Sequence, residues 1–210
     1  MSDIRGVIFD HDGTLVDSEP ITLGVVAEMA VEAGAEVYPE DIDRFVGADL
    51  KVVFAEIERR SGRPLPADHL EQFRARQTTA INAGLRPVDG AGDLLAAINL
   101  PVAVASNAPV AKMQLCLSAA GLRHHFTDEQ LISAYDVGAW KPAPDVFLRT
   151  AETLGLQPHE CAVVEDSRPG VEGAIAAGMQ VFALDPKGRF DGITGATTIP
   201  NLSALIPLVG

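Results

Sequence analysis

The sequence predicts an α/β fold: a doubly wound parallel sheet with a block of helices inserted after its first strand. Three observations predict it. From Gly90 onward, short apolar runs with the character of buried parallel strands alternate with helix-length segments. Strand signals almost vanish between Glu19 and about Ala83. Acidic and hydroxyl residues recur just after the apolar runs, where open α/β sheets place their ligand crevices.

Arg5 to Phe9 is the first strand, and it delivers Asp10 and Asp12 onto the loop at its carboxyl end. In an extended backbone Asp10 and Asp12 point the same way and His11 the other. Inside the insertion Ile21, Val25, Met29 and Ala30 recur at helical spacing, as do Val53 and Ile57, and then Leu70, Phe73 and Ile81. Gly34, Pro39, Gly47, Gly62, Pro64 and Pro66 divide the block into several helices. Glu28, Glu32 and Glu36 read as a solvated helix face.

Ala91 to Ile98 is then helical, and Pro101 to Ala105 is a second strand ending in Ser106-Asn107. Pro109 suits the first turn of a helix that continues from Val110 to Ala120 and stops at Gly121. Leu131 to Ser133 is a weak third strand. Pro144 opens a helix to Leu154, closed by Gly155. Cys161 to Val164 is a fourth strand, ending in Glu165-Asp166-Ser167. Val171 to Ala177 is a helix stopped by Gly178, and Gln180 to Leu184 a fifth strand. The expected organisation is a core of residues 1–16 and 85–210 and a helical domain of residues 17–84.

Composition narrows the function. With 210 residues and 47% hydrophobic content the chain can bury a substantial core. A net charge of −13 argues against nucleic acid, which is held largely by Lys and Arg on phosphates. It leaves room for a small anionic substrate, because a metal ion and a few local cations can hold an anion in a pocket. No apolar run approaches the ~20 residues of a membrane helix, and Met1 to Gly6 has no signal-peptide profile. Cys116 and Cys161 read as buried thiols in a reducing compartment, so the cytoplasm is expected.

Asp10 and Asp12 cannot both stay ionised at close range without a cation or a shared proton. The pair suggests a hard metal ion, with one carboxylate as nucleophile and the other as proton carrier. In a parallel sheet the strand ends share one edge, so Asp10, Asp12, Ser106, Glu165 and Asp166 can converge, with Lys141 on a nearby loop. Taken singly each has a plainer reading: Glu165-Asp166 as an N-cap pair, Ser106 as a turn residue, Lys141 as a surface cation. Together they supply what phosphoryl transfer needs, namely carboxylates, a hydroxyl donor and a fixed cation.

Four segments in order resemble the motifs of the haloacid dehalogenase-like hydrolase superfamily: Asp10-His11-Asp12-Gly13-Thr14-Leu15-Val16, Ser106-Asn107, Lys141-Pro142-Ala143-Pro144-Asp145 and Glu165-Asp166-Ser167. The resemblance implies a Rossmann-like core with a small α-helical cap, hinged at Val16 to Ser18 and near Gly84 to Pro87. It implies that Asp10 attacks phosphorus to form an aspartyl-phosphate, and that Asp12 protonates the leaving oxygen and later deprotonates water. It also implies that Asp10, the Asp12 carbonyl and Asp166 hold Mg²⁺, with Glu165 as a ligand or a partner behind the ligands. Ser106, Asn107 and Lys141 would bind the phosphoryl group.

The presence of Asp12 favours phosphate esters over carbon–halogen bonds. The chain looks most like the branch containing β-phosphoglucomutase and the sugar-phosphate phosphatases, so the expected partner is a small phosphorylated metabolite. Around Gly47, a segment resembling the cap's specificity loop makes Arg44, Lys51, Arg74 and Arg76 candidate anion contacts. No histidine lies between Glu19 and Tyr38 to match the one that gates proton transfer in β-phosphoglucomutase, which favours hydrolysis over a phosphomutase. A non-catalytic phosphoacceptor module of the receiver type is a third reading. The second acid of the first motif and the helical insertion argue against it.

Overall fold

The structure, a computed structural model, describes residues 4–36, 50–186, 188, 190 and 192–209. Its strands are β1 (Gly6–Phe9), β2 (Val102–Ser106), β3 (Leu131–Ser133), β4 (Cys161–Glu165), β5 (Gln180–Leu184) and β6 (Ala196–Ile199). They form one sheet in the order β3-β2-β1-β4-β5-β6, every pair parallel. This is the doubly wound, Rossmann-like order, whose ligands bind where the winding reverses. Here the reversal falls between β1 and β4.

Val7, Ile8 and Phe9 are wholly buried, so each contributes roughly 1.5–3 kcal/mol by leaving water. Val7 pairs with Val102 on one side and Ala162 on the other, which puts β1 at the centre of the sheet. The helices α7 (Asp145–Leu154) and α8 (Arg168–Ala176) cover one face. Their Val146, Phe147, Ala151, Val171 and Ala174 pack with Ile8, Val163, Val181 and Ala183. Val7, Phe9, Val104, Val164 and Phe182 are buried as well, as a sheet covered on both faces requires. So are Leu94 and Leu95 of α4 (Ala91–Ala97), Met113 and Leu117 of α5 (Val110–Ala119), and Ala134 of the short α6 (Ala134–Val137).

Strand β6 has no counterpart among the sequence expectations. It lies at the edge, its central Thr197 and Thr198 are exposed, and only Ile199 is buried, so no apolar run announces it. Helix α8 begins at Arg168, three residues before the expected start. Ser167 is its cap, the Oγ accepting from the Gly170 N–H at 3.2 Å. The capping role offered to Glu165-Asp166 therefore belongs to Ser167. Cys116 and Cys161 are buried and unpaired, and burial pushes both thiols up to about 11.

The chain divides into two compact units, Met1–Asp17 with Arg86–Gly210, and Ser18–Leu85. The second contains α1 (Glu19–Ala33), α2 (Leu50–Ser61) and α3 (His69–Gly84). Val25, Val26, Met29 and Ala30 of α1 pack with Val53, Phe54 and Ile57 of α2 and Phe73 of α3. Phe54 meets Phe73 edge-on, with ring centroids 5.6 Å apart. Gln77 of α3 donates to Thr22 of α1 at 2.8 Å. Arg76 forks onto both carboxylate oxygens of Glu32 at 2.7 and 2.8 Å. It is a strut between α3 and α1. Lys51 and Arg74 are exposed, while Arg44 and the segment around Gly47 lie outside the described residues. Among the described residues no helix is long and apolar enough to cross a membrane.

Candidate active site

The site is assembled at the reversal of the sheet. Asp10 follows β1 directly, and its N–H donates to the Val164 carbonyl of β4 at 2.9 Å, so Asp10 and Glu165 leave adjacent strands side by side. Between them lies the ammonium of Lys141. Its Nζ donates to Asp10 Oδ1, to Glu165 Oε1 at 2.8 Å and to the Ala105 carbonyl at 2.8 Å. An ammonium has three hydrogens, and all three are used.

Lys141 is only 8% exposed, which overturns its plainer reading as a surface cation. Burial works against its charge, yet Asp10 and Glu165 outweigh that and hold its pKa above the ordinary lysine range. The ring of Phe147 lies 4.9 Å from its Nζ. The loop carrying it is fixed by Asn107, whose Oδ1 accepts from the Lys141 N–H at 3.0 Å. Asn107 therefore has its NH₂ group left to donate. Ser106 Oγ accepts from the Ala108 N–H at 3.0 Å and keeps its hydroxyl hydrogen for a ligand.

Glu165 is 1% exposed and has both oxygens engaged. Oε1 takes the lysine, and Oε2 accepts from the Ser167 N–H at 2.7 Å and the Ser167 hydroxyl at 2.9 Å. The carboxylate lies so close to α8 that a Cβ on Gly170 would stand 1.6 Å from Oε1, so only glycine fits there. Glu165 thus anchors Lys141 to the sheet edge. Burial pushes the Asp10 carboxyl up to about 7 against the pull of Lys141, with Glu165 and Asp166 adding to the rise.

Asp12 takes a different course from Asp10. The strand stops at Phe9, and the next residues turn back: the Leu15 and Val16 N–H groups both donate to the His11 carbonyl, at 3.0 and 3.1 Å. The alternation expected of an extended chain therefore fails after Asp10. Asp12 Oδ2 accepts from Lys112 Nζ at 2.8 Å, and His11, expected to point away, brings its Nδ1 to 3.3 Å from the same oxygen. Burial opposes ionisation of Asp12, but His11 and Lys112 outweigh it and hold the carboxyl far below the usual range. Lys112 was not among the expected site residues. The signal for it was its place in the first turn of the helix after β2, on the same sheet edge.

Asp166 lies against the turn. Thr14 Oγ1 donates to Asp166 Oδ1 at 3.4 Å, and a Cβ on Gly13 would stand 2.2 Å from Oδ2. With φ at +87°, Gly13 answers both to the backbone and to this close approach. Among the described residues no three His, Cys, Asp or Glu side chains form a metal cage of their own. Magnesium does not require one, since it binds through one or two carboxylates and keeps several waters. Asp10, Glu165 and Asp166 place more negative charge here than Lys141 balances. Carboxylates with a nearby backbone carbonyl are the donors a hard cation takes, so the residues fit such an ion.

The family model described as haloacid dehalogenase-like hydrolase matches residues 4–178. The chain belongs to the haloacid dehalogenase-like hydrolases. That assignment sets aside the receiver-type module. The chain is similar to the 6-phosphogluconate phosphatase of Escherichia coli, with 36% identity over 209 residues, 98% of this chain and 94% of the relative. It is 32% identical over 181 residues to the fructose-1-phosphate phosphatase of the same organism, covering 83% of this chain and 93% of that one. Among solved structures, a haloacid dehalogenase-family hydrolase from Deinococcus radiodurans with bound phosphate and sodium superposes with a TM-score of 0.73. Its identity is 28%, and the match covers 100% of this chain and 90% of that one.

Proposed function

We propose that this phosphoric monoester hydrolase acts on a small sugar or sugar-acid phosphate through an aspartyl-phosphate on Asp10, with Mg²⁺ as its cofactor. The observation that carries the reading is the buried Lys141 ammonium joining Asp10 to Glu165 where the sheet reverses. A nucleophilic carboxylate must approach a phosphoryl dianion, and a fixed cation at its side offsets the repulsion. The similarity to phosphatases of 6-phosphogluconate and fructose 1-phosphate supports the substrate class, and 6-phosphogluconate is the first candidate.

In this reading an oxygen of Asp10 attacks phosphorus, the ester bond breaks, and the leaving oxygen takes a proton from Asp12. Water then attacks the acyl phosphate and gives its proton back to Asp12, which frees inorganic phosphate and restores Asp10. Asp12 is held ionised by Lys112 and His11, the form that accepts a proton. Arrival of the phosphoryl dianion sets like charge beside it and raises its pKa toward the donor form. Ser106 Oγ and the Asn107 NH₂ donate to phosphoryl oxygens, and Lys141 binds the same group by turning one of its three N–H bonds from a present partner to a phosphoryl oxygen. Asp10, Asp166 and the Asp12 carbonyl would hold Mg²⁺, which when bound supplies positive charge to the phosphoryl oxygens. The helical unit, as a cap, would select among leaving groups. The two unpaired thiols fit the reducing cytoplasm.

The test is phosphate release over a panel of hexose, pentose and sugar-acid phosphates with Mg²⁺ or with EDTA. Release from one or a few members, lost in EDTA, is expected. Isomerised sugar phosphate without free phosphate would mean a mutase and overturn the reading, as would full turnover in EDTA.

Metal binding should follow pH in a stated direction. With the Asp10 carboxyl up near 7, the proton must leave before that oxygen can ligate. Mg²⁺ affinity is therefore expected to weaken as pH falls below about 7, with protons released on binding. Calorimetry at pH 6 and pH 8 in buffers of different ionisation enthalpy reads both; equal affinity with no proton release would contradict it.

A further inference from the structure

Two carboxylates one residue apart at the end of a strand have been given separate lysines. Asp10 holds Lys141, and Asp12 holds Lys112. We propose that Lys112 is a positioning residue for Asp12: it fixes the carboxylate that handles the proton. The proposal rests on the acid–base role given to Asp12 above.

The geometry is specific. Lys112 Nζ grips Asp12 Oδ2 at 2.8 Å, and His11, fully buried with no hydrogen-bond partner at either ring nitrogen, presents Nδ1 3.3 Å from that oxygen. Two nitrogens thus lie close to one oxygen. The helix carrying Lys112 is itself tied to the Ser106–Ala108 loop. Pro109 is its cap, with a carbonyl that accepts from the Lys112 N–H at 3.0 Å. Just before it, Ala108 is held by Ser106 Oγ at 3.0 Å and by Ser133 Oγ at 2.8 Å. The lysine that places Asp12 and the hydroxyl that would meet the phosphoryl group therefore ride on one fixed piece of backbone.

Proton transfer depends steeply on placement, and a shift near 1 Å can lower a rate about 10²-fold. The full chain with Mg²⁺ is assayed on the sugar monoester turned over fastest in the panel and on p-nitrophenyl phosphate, whose leaving group needs no proton. For Lys112→Met, kcat on the sugar ester is expected to fall about 10²-fold with little change in KM. p-Nitrophenyl phosphate should still give a burst of about one nitrophenolate per active site, followed by slow turnover. Lys112→Arg, which can still grip a carboxylate, should recover most of kcat.

A loss confined to KM would make Lys112 a substrate contact and overturn the proposal. So would a lost burst, or an arginine variant no better than methionine. Lys112→Gln, checked by thermal unfolding, stands in if the methionine variant does not fold. Asp12→Asn separates the two readings. If it lacks the burst followed by slow turnover, the role given to Asp12 fails; if it shows that pattern and Lys112→Met does not, only the role of Lys112 fails.

Discussion

Asp10→Asn is expected to lower turnover by about 10³-fold or more while leaving the thermal unfolding of the chain close to wild type. The amide matches the carboxylate in shape but offers no anionic oxygen to attack phosphorus. It can still accept from Lys141 Nζ, so the buried ammonium keeps a partner. Phosphate release and a melting curve on the same preparation read both halves of the expectation. Turnover near wild type would remove Asp10 as the nucleophile, and with it the proposed intermediate. Loss of folding would show instead that the charge of Asp10 is needed to hold Lys141.

Lys141→Met is expected to have the largest effect on stability. It leaves the Glu165 carboxylate, 1% exposed, and Asp10 beside it without the one cation they share. Removing one partner of a buried ion pair destabilises by about 3–5 kcal/mol, because the remaining charge stays out of water with nothing to offset it. Urea unfolding at neutral pH without Mg²⁺ measures this directly. The double variant Lys141→Met/Glu165→Gln should recover part of the loss, since the amide carries no stranded charge. A single variant within about 1 kcal/mol of wild type would mean that the site relaxes around the lesion. Activity should fall with both variants, as neither keeps a cation beside Asp10 to offset its repulsion of the phosphoryl group.

The order of strands and helices was legible because buried parallel strands leave unbroken apolar runs and helices end in glycine or proline signals, as at Gly121 and Gly155. The placement of Asp10, Ser106, Lys141 and Glu165 at one edge followed from that order. What stayed hidden has physical causes. Strand β6 is half exposed, so burial did not mark it. The pairings of Lys112 with Asp12 and of Arg76 with Glu32 join segments far apart in the chain, 100 residues in the first case, and no local pattern records them. The environment of His11 depended on a turn that begins one residue earlier than an extended reading allows.

The route by which the chain leaves and re-enters the sheet unit has an evolutionary consequence. Val16 bridges to Pro87, and the Val88 N–H donates to the Leu15 carbonyl at 2.9 Å, so the outgoing and returning segments are stitched together within that unit. An insertion whose two ends are clasped in this way can be exchanged with little disturbance to its host. If the helical unit selects the leaving group, as proposed above, selectivity and reactivity can diversify on separate clocks, and transplanting residues 18–85 from a relative tests whether acceptance travels with that unit.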